Sequence, residues 1–226
     1  MQVILPDKII KSSRRTMSLA IQGDGTIVVR APSRIKEEHI TKFVSQKQDW
    51  IVSKLAKIKN NQSKYGDIIN YQKYLLYGNK YDLSIADVNK IEVSNQTQTI
   101  LIPTKVDKDK ILPALYQFYK KKAKEVLTKR LLYIKSLMRI EPKSISYSNS
   151  KGRWGACNSH GKITLNWRVI MLPPNCIDYV IVHELCHLIE MNHSSRFWNL
   201  IQTFLPGYSE CREQLKEFGF ILELYR

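Results

Sequence analysis

The stretch HELCHLIEMNH, residues 183–193, contains three of the five histidines in the chain and constrains the fold around it. His183 and His187 are four residues apart, so on an α-helix their side chains lie one turn apart on one face. Two imidazoles in this position can bind one metal ion without any bend in the backbone. The spacing therefore predicts a helix that carries a metal site.

Glu184 lies about 100° around the helix from His183, beside the expected metal ion rather than on it. A carboxylate there can take a proton from a water molecule whose pKa the metal lowers toward about 7. This arrangement is that of the HExxH motif, in which zinc activates the water and the glutamate is the general base. We therefore predict one Zn²⁺ per chain and Glu184 as the catalytic residue.

A third ligand has to come from outside the regular helix. His193 lies six residues after the second histidine, which on a continuous helix would place it about 240° away. Asn192 tolerates a left-handed backbone and Ser194 is a good N-cap, so we expect a helix break at 191–193. His193 is then the predicted third ligand, and Glu190 is the alternative.

Apolar residues surround the motif on almost every side, unlike a chance HExxH match on an exposed helix. They are Val180, Ile181, Val182, Leu185, Leu188 and Ile189. A helix of this composition is buried, and ionisable groups inside it are costly unless they are paired or bound to a ligand. The pattern favours a metal site over a structural interpretation, whereas Cys186 is predicted to pack in the core.

The net charge of +16 is unevenly distributed over the 226 residues. Residues 1–64 and 105–150 each carry an excess of eight positive charges, whereas residues 151–226 carry an excess of one. The lysine-rich run 120–124 indicates either a solvated helix face or a surface for non-specific nucleic-acid or anionic-membrane binding. Such a partner would contact surfaces other than the nearly neutral histidine segment.

The amino-terminal residues lack the apolar segment of a secretory signal. No stretch approaches the roughly 18–20 apolar residues that a transmembrane helix needs. The four cysteines have no CxxC spacing. We therefore expect a cytoplasmic protein with reduced thiols and no membrane span.

Hydrophobic periodicity predicts both strands and helices along the chain. Alternating residues predict hairpins at 14–31 and at 74–85, the second with a turn at Gly78-Asn79. A long helix is expected over 109–139. Further strands are expected at 90–93, 99–103, 144–148 and 162–170, and further helices from about 176, after Ser194 and from Ser209.

The second half of the chain contains four notable motifs: RWGxC at 153–157, LNWR at 165–168, YVxxHELxHL at 179–188 and NHSxxFW at 192–198. Together they resemble the motifs of the YgjP-like metallopeptidase family, which is related to SprT-like and WLM peptidases. The amino-terminal segments RRTMSLAI, GDGTIVVRAP and YLLYGNKYDLSI also resemble segments of that family. The resemblance thus covers nearly the whole chain.

The resemblance implies an α+β, zincin-like fold in which the active-site helix packs on a small antiparallel sheet. With the weak boundary that the chain pattern places near residue 105, it implies a metallopeptidase core at 106–226 and leaves a β-rich region with one helix at 1–105. It also implies that His183, His187 and His193 bind the zinc ion and that Glu184 is the base. The implied activity is zinc-dependent hydrolysis of a peptide or protein.

Two other enzymatic hypotheses remain open from the sequence. One is a metal-dependent nucleotide pyrophosphohydrolase, for which the basic surface would gather the substrate. The other is a nucleic-acid-targeted protease of the SprT type. A silent module with structural zinc is disfavoured, because a structural site has no use for Glu184.

Candidate substrate contacts lie on both sides of the motif. Arg153 could bind a carboxylate or carbonyl, and Trp154 could line a pocket beside an edge strand that accepts an extended peptide. Tyr208 could donate a hydrogen bond to an oxyanion. Phe197 and Trp198 are predicted to be packing residues.

Overall fold

A computed structural model describes residues 4–225 of the chain, which form a mixed α+β structure with three small sheets and six α-helices. The structure divides into two compact units after Gly66. The predicted division after residue 105 stays a prediction. None of the helices in the described residues is both long and apolar enough to cross a membrane.

The first unit begins with a three-stranded sheet of order β1-β3-β2. Its strands are β1 (Lys8–Ser12), β2 (Ser18–Ile21) and β3 (Ile27–Pro32). β2 and β3 are antiparallel, which confirms the hairpin predicted at 14–31. The turn contains Gly25 at φ +92°, a conformation that glycine adopts without steric cost.

Two helices follow this sheet, α1 (Glu37–Ser45) and α2 (Gln48–Ile69), and α2 has non-helical dihedral angles at Tyr65. Six buried residues of the first unit form one small cluster that joins the sheet to the helices. Its members are Ile27, Val29, Ala31, Ile40, Val44 and Ile51. The unit therefore has a core of its own, as a compact unit requires.

A four-stranded sheet of order β4-β5-β7-β6 opens the second unit. Its strands are β4 (Tyr74–Leu76), β5 (Asn79–Ala86), β6 (Glu92–Ser94) and β7 (Thr99–Pro103). The β4–β5 hairpin is confirmed, but its turn lies at Tyr77-Gly78, because Leu76 pairs with Asn79. Gly78 has φ +79°, and a Cβ there would lie 2.9 Å from Pro173 Cγ, so this position suits only glycine.

The predicted long helix is confirmed as α3 (Ile111–Met138). Its buried residues recur every three or four positions along one face. They are Leu115, Tyr119, Ala123, Leu127, Leu131, Ile134 and Met138. This apolar face packs against the later helix α4 (Pro174–Cys186) and against a 3-10 helix at Trp167–Met171, so α3 closes one side of the main core.

The third sheet contains β8 (Ser144–Ser148), β9 (Gly155–Cys157) and β10 (Lys162–Asn166), with β10 in the centre. β10 is parallel to β8 and antiparallel to β9. The sheet is therefore mixed, which corrects the expectation of a purely antiparallel sheet. β10 also ends earlier than predicted, because the Asn166 side chain accepts a hydrogen bond from Arg168 N and starts the 3-10 helix.

Three helices complete the second unit: α4 (Pro174–Cys186), α5 (Ser195–Phe204) and α6 (Tyr208–Glu217). Pro174 occupies the first turn of α4, where proline is favoured, and Pro173 is the N-cap. α4 contacts α3, α5, α6 and β9, so it lies at the centre of this unit. The predicted histidine motif occupies its carboxyl end.

Candidate active site

Helix α4 ends where the motif needs the chain to turn. Cys186 is its last residue, and His187 is the C-cap. The N–H groups of Leu188 and Ile189 donate to the carbonyls of Leu185 and Cys186, each three residues back, at 3.0 Å. These tight turns replace the regular α-helical ladder and lead the chain out of the helix.

The chain then returns His193 to the two histidines of α4. The Nε2 atom of His183 lies 3.2 Å from that of His187 and 3.1 Å from that of His193. The break occurs after Cys186 rather than at 191–193, and Asn192 is not among the residues with positive φ. Ser194 caps α5 as predicted, since its Oγ accepts a hydrogen bond from Phe197 N at 3.3 Å.

The three histidines form a donor set that could hold a metal ion, with one ligand atom from each ring and all three within 4.8 Å of one another. Burial first, and then the charges of the other two rings, lower the pKa of His183 to about 3. Burial is also the main cause of the lowered pKa of His187. Neutral imidazoles keep a lone pair for a metal, so the residues fit this group.

The orientation of the His187 ring supports the same interpretation. Its Nδ1–H donates to the carbonyl oxygen of Glu190 at 3.0 Å, which leaves the Nε2 lone pair facing the other two rings. Glu190 thus contacts the cluster through its backbone. The group of potential ligands found within residues 4–225 consists of the three histidines and does not include the Glu190 carboxylate.

Glu184 is a buried carboxyl group, 5% exposed, directly beside the first histidine. Burial raises its pKa to about 8, and the positive charge of Arg153 opposes this rise. Its Oε2 atom has no hydrogen-bond partner among residues 4–225. A buried polar atom left unpaired costs free energy, and such atoms are typical of reactive sites.

Gly155, at the start of β9, packs directly against this carboxyl group. A Cβ atom built on Gly155 would lie 2.5 Å from Glu184 Oε1 and 2.7 Å from Glu184 Cδ. Only glycine therefore permits the observed position of the carboxylate. The sequence places Gly155 in the RWGxC motif, but no local pattern indicates that Glu184 would lie against it.

Aromatic rings surround the histidine cluster. Phe197 is fully buried, and its ring centroid lies 5.0, 4.5 and 4.8 Å from those of His183, His187 and His193. Trp198 stacks on His193 at 5.6 Å. The prediction that both residues pack in the structure is confirmed, and the groups that they pack against are the histidine rings themselves.

A cavity of about 340 Å³ lies beside Glu184. Its lining comes from β9 and the preceding loop, from α4 and from α6, and consists of Arg153, Trp154, Gly155, Tyr179, Val180, His183, Glu184, Arg212, Leu215 and Lys216. Two of the three candidate substrate contacts, Arg153 and Trp154, are in this lining. The third, Tyr208, is not: it stacks between Trp198 and Tyr179, at centroid distances of 5.5 and 6.3 Å.

Comparison with known proteins agrees with this class of site. A family model described as YgjP-like, metallopeptidase domain, matches residues 15–218. The chain therefore belongs to the YgjP-like metallopeptidase family, which confirms the resemblance and implies a hydrolase that acts on peptide bonds of proteins.

Among solved structures, the chain is similar to the crystal structure of the metallopeptidase zymogen of Pyrococcus abyssi abylysin. The two are 24% identical, and the match covers 44% of this chain and 96% of that chain with a TM-score of 0.37. A search of curated proteins finds no match.

Proposed function

We propose that the protein is a zinc-dependent peptidase of the zincin type, with His183, His187 and His193 as zinc ligands and Glu184 as the general base. The observation that carries this proposal is the convergence of three imidazole nitrogens beside a buried carboxylate. Three neutral imidazoles with one open position are the ligand set of a catalytic zinc site.

Zinc rather than a harder cation suits this donor set, because imidazole favours borderline metals and the ligand group found within residues 4–225 consists of imidazoles. When bound, zinc supplies Lewis acidity, which polarises the scissile carbonyl and lowers the pKa of a water molecule. The three histidines hold the ion, and the Phe197 ring packs against all three imidazoles and keeps them in position. The carbonyl of Glu190 fixes the tautomer of His187.

Glu184 has the position that a general base needs. Its Oε1 side rests on Gly155, while Oε2 has no hydrogen-bond partner within residues 4–225. When Glu184 is ionised, Oε2 can therefore accept the proton of the attacking water. The same carboxyl group then delivers that proton to the leaving amine, so that Glu184 returns to its starting state.

Strand β9 is the element on which a peptide substrate would lie. It is at the edge of its sheet, with β10 on one side, and it contacts α4. An extended peptide can add to such an edge through main-chain hydrogen bonds. A peptide bound there would pass Gly155 and therefore the Glu184 carboxylate.

Metal analysis combined with a peptide-cleavage assay tests the proposal. We expect about one zinc ion per chain, cleavage that stops when a chelator removes the metal, and recovery when zinc is returned. Zinc-loaded protein that cleaves no member of a diverse peptide library would contradict the proposed activity. A chain that binds no zinc would contradict the proposed site.

A further inference from the structure

The cavity beside Glu184 brings together cationic side chains that are distant in sequence. Arg153 comes from the loop before β9, whereas Arg212 and Lys216 lie one turn apart on α6. His183 and Glu184 belong to the same lining. A substrate group that fills this cavity therefore lies next to the reacting groups.

The two arginines are free to bind a ligand. Within residues 4–225, no carboxylate oxygen lies within 4.0 Å of the guanidinium group of Arg153 or Arg212. Lys216 is different, since its Nζ pairs with Glu213 at 2.6 Å. Arg212 is held at the wall by Trp198, with its Cζ atom 4.5 Å from the ring centroid.

The charge of this cavity contrasts with that of the surrounding segment. Residues 151–226 have a net charge of only +1, yet three of their cations line one cavity, and among the described residues of that lining Glu184 is the single acid. Tyr179, Val180 and Leu215 form much of the remaining wall. An apolar wall strengthens a charge-assisted hydrogen bond because it lowers the local dielectric constant.

We propose that this cavity is a substrate subsite for a carboxylate group, bound by Arg212 and Arg153. Guanidinium groups match the two oxygens of a carboxylate geometrically, and a volume of about 340 Å³ is that of a small-ligand site. The carboxylate comes either from an acidic side chain near the scissile bond or from the carboxyl terminus of the substrate. This inference rests on the proposed peptidase function and adds the substrate class.

Binding to the zinc-loaded Glu184→Gln variant measures the preference without cleavage. Three labelled peptides of equal length serve as probes: one with an internal glutamate and an amidated end, one with glutamine there and an amidated end, and one with glutamine and a free carboxyl terminus. Fluorescence anisotropy should show about tenfold or tighter binding for one of the two acidic probes over the neutral one. The tighter acidic probe identifies the source of the carboxylate.

Substitution of Arg212 provides the matched test. In the Arg212→Gln variant, the preference for the acidic probe should fall to less than about threefold. The control is Arg196→Gln, because Arg196 is an exposed arginine on α5 that does not line the cavity. It should keep the full preference. Zinc content and circular dichroism establish that each variant is folded, and Arg153→Gln gives a second, independent loss of preference.

Three results would overturn the subsite. One is equal binding of the neutral and acidic probes, and another is an unchanged preference in both arginine variants. The third is displacement of the acidic probe by a nucleoside triphosphate that binds at least tenfold more tightly than the probe does. That result would make the cavity a phosphate site. Failure of the zinc-loaded wild type to cleave any peptide contradicts the peptidase proposal instead, and the binding preference still decides the subsite.

Discussion

Helices α3 and α4 lie in contact within the same unit, but they place their ionisable side chains in opposite environments. α3 buries one apolar face and leaves Lys120, Lys121 and Lys124 exposed. Most residues of α4 are buried, and Glu184 is one of them. An exposed lysine keeps its hydration, whereas a buried carboxylate is costly unless it is paired or bound to a ligand, so its presence in the core indicates a chemical role. The buried carboxylate of α4 is therefore more informative about function than the exposed lysines of α3.

The largest expected effect comes from removing His193, the proposed ligand that lies beyond α4 and its C-cap. His193→Ala should lower zinc affinity by more than about a hundredfold and abolish cleavage, since loss even of a supporting group typically costs 10- to 100-fold. Zinc competition with a chelator measures it. Glu190→Ala is the control and should keep zinc. The reverse pattern, with zinc lost only in Glu190→Ala, would make Glu190 the third ligand.

Glu184→Gln tests whether the buried carboxylate of α4 acts in the chemistry rather than in metal binding. The variant should keep one zinc ion per chain and its fold, but lose about a hundredfold or more in kcat, because an amide cannot accept the proton. Metal analysis and steady-state kinetics on the same sample separate the two effects. Full activity in the zinc-loaded variant would exclude Glu184 as the base.

Gly155→Ala tests whether the position of the Glu184 carboxylate matters, because this substitution displaces the carboxylate without removing it. The added Cβ would lie 2.5 Å from Glu184 Oε1, so the side chain has to shift. Since a displacement of about 1 Å can cost about a hundredfold in rate, kcat should fall 10- to 100-fold while zinc stays bound. Gly152→Ala is the control from the loop before β9, because within residues 4–225 no heavy atom other than those of its chain neighbours lies within 4 Å of its Cβ position. Equal kcat values for the two variants would contradict the positioning role.

Phe197→Leu tests the packing of the Phe197 ring against the histidine rings. The smaller side chain loses the ring contacts with all three histidines, so we expect zinc affinity to fall by about tenfold, in the range seen for supporting residues. Chelator competition at constant pH measures this change. Unaltered affinity in a folded variant would show that the rings are held by other contacts.

The smallest effect on cleavage should come from α3. Reversal of Lys120, Lys121 and Lys122 to glutamate should change the cleavage of a short neutral peptide by less than about twofold, because these residues do not line the cavity. A gel-shift titration with single- and double-stranded nucleic acid tests the polyanion hypothesis. Binding should be independent of sequence, weaken steeply with salt, and weaken further in the variant. No shift at low salt would remove that hypothesis.

Local sequence patterns were sufficient to predict much of the fold and to identify the candidate residues. The hairpins at 14–31 and 74–85 and helix α3 were predictable because alternation and helical periodicity are short-range properties of the chain. The i, i+4 spacing of His183 and His187 placed both rings on one face for the same reason. Ser194 also identified the start of α5 from its capping chemistry alone.

Tertiary packing decided the features that join distant segments. The end of α4 at Cys186, the contact of Gly155 with Glu184, and the meeting of Arg153 with Arg212 at one cavity have no local pattern. The mixed third sheet, with β10 parallel to β8, depends in the same way on strands that pair across intervening chain. Local hydrogen bonding and periodicity set the type of each element, whereas the burial of side chains from several elements in one core sets which elements meet.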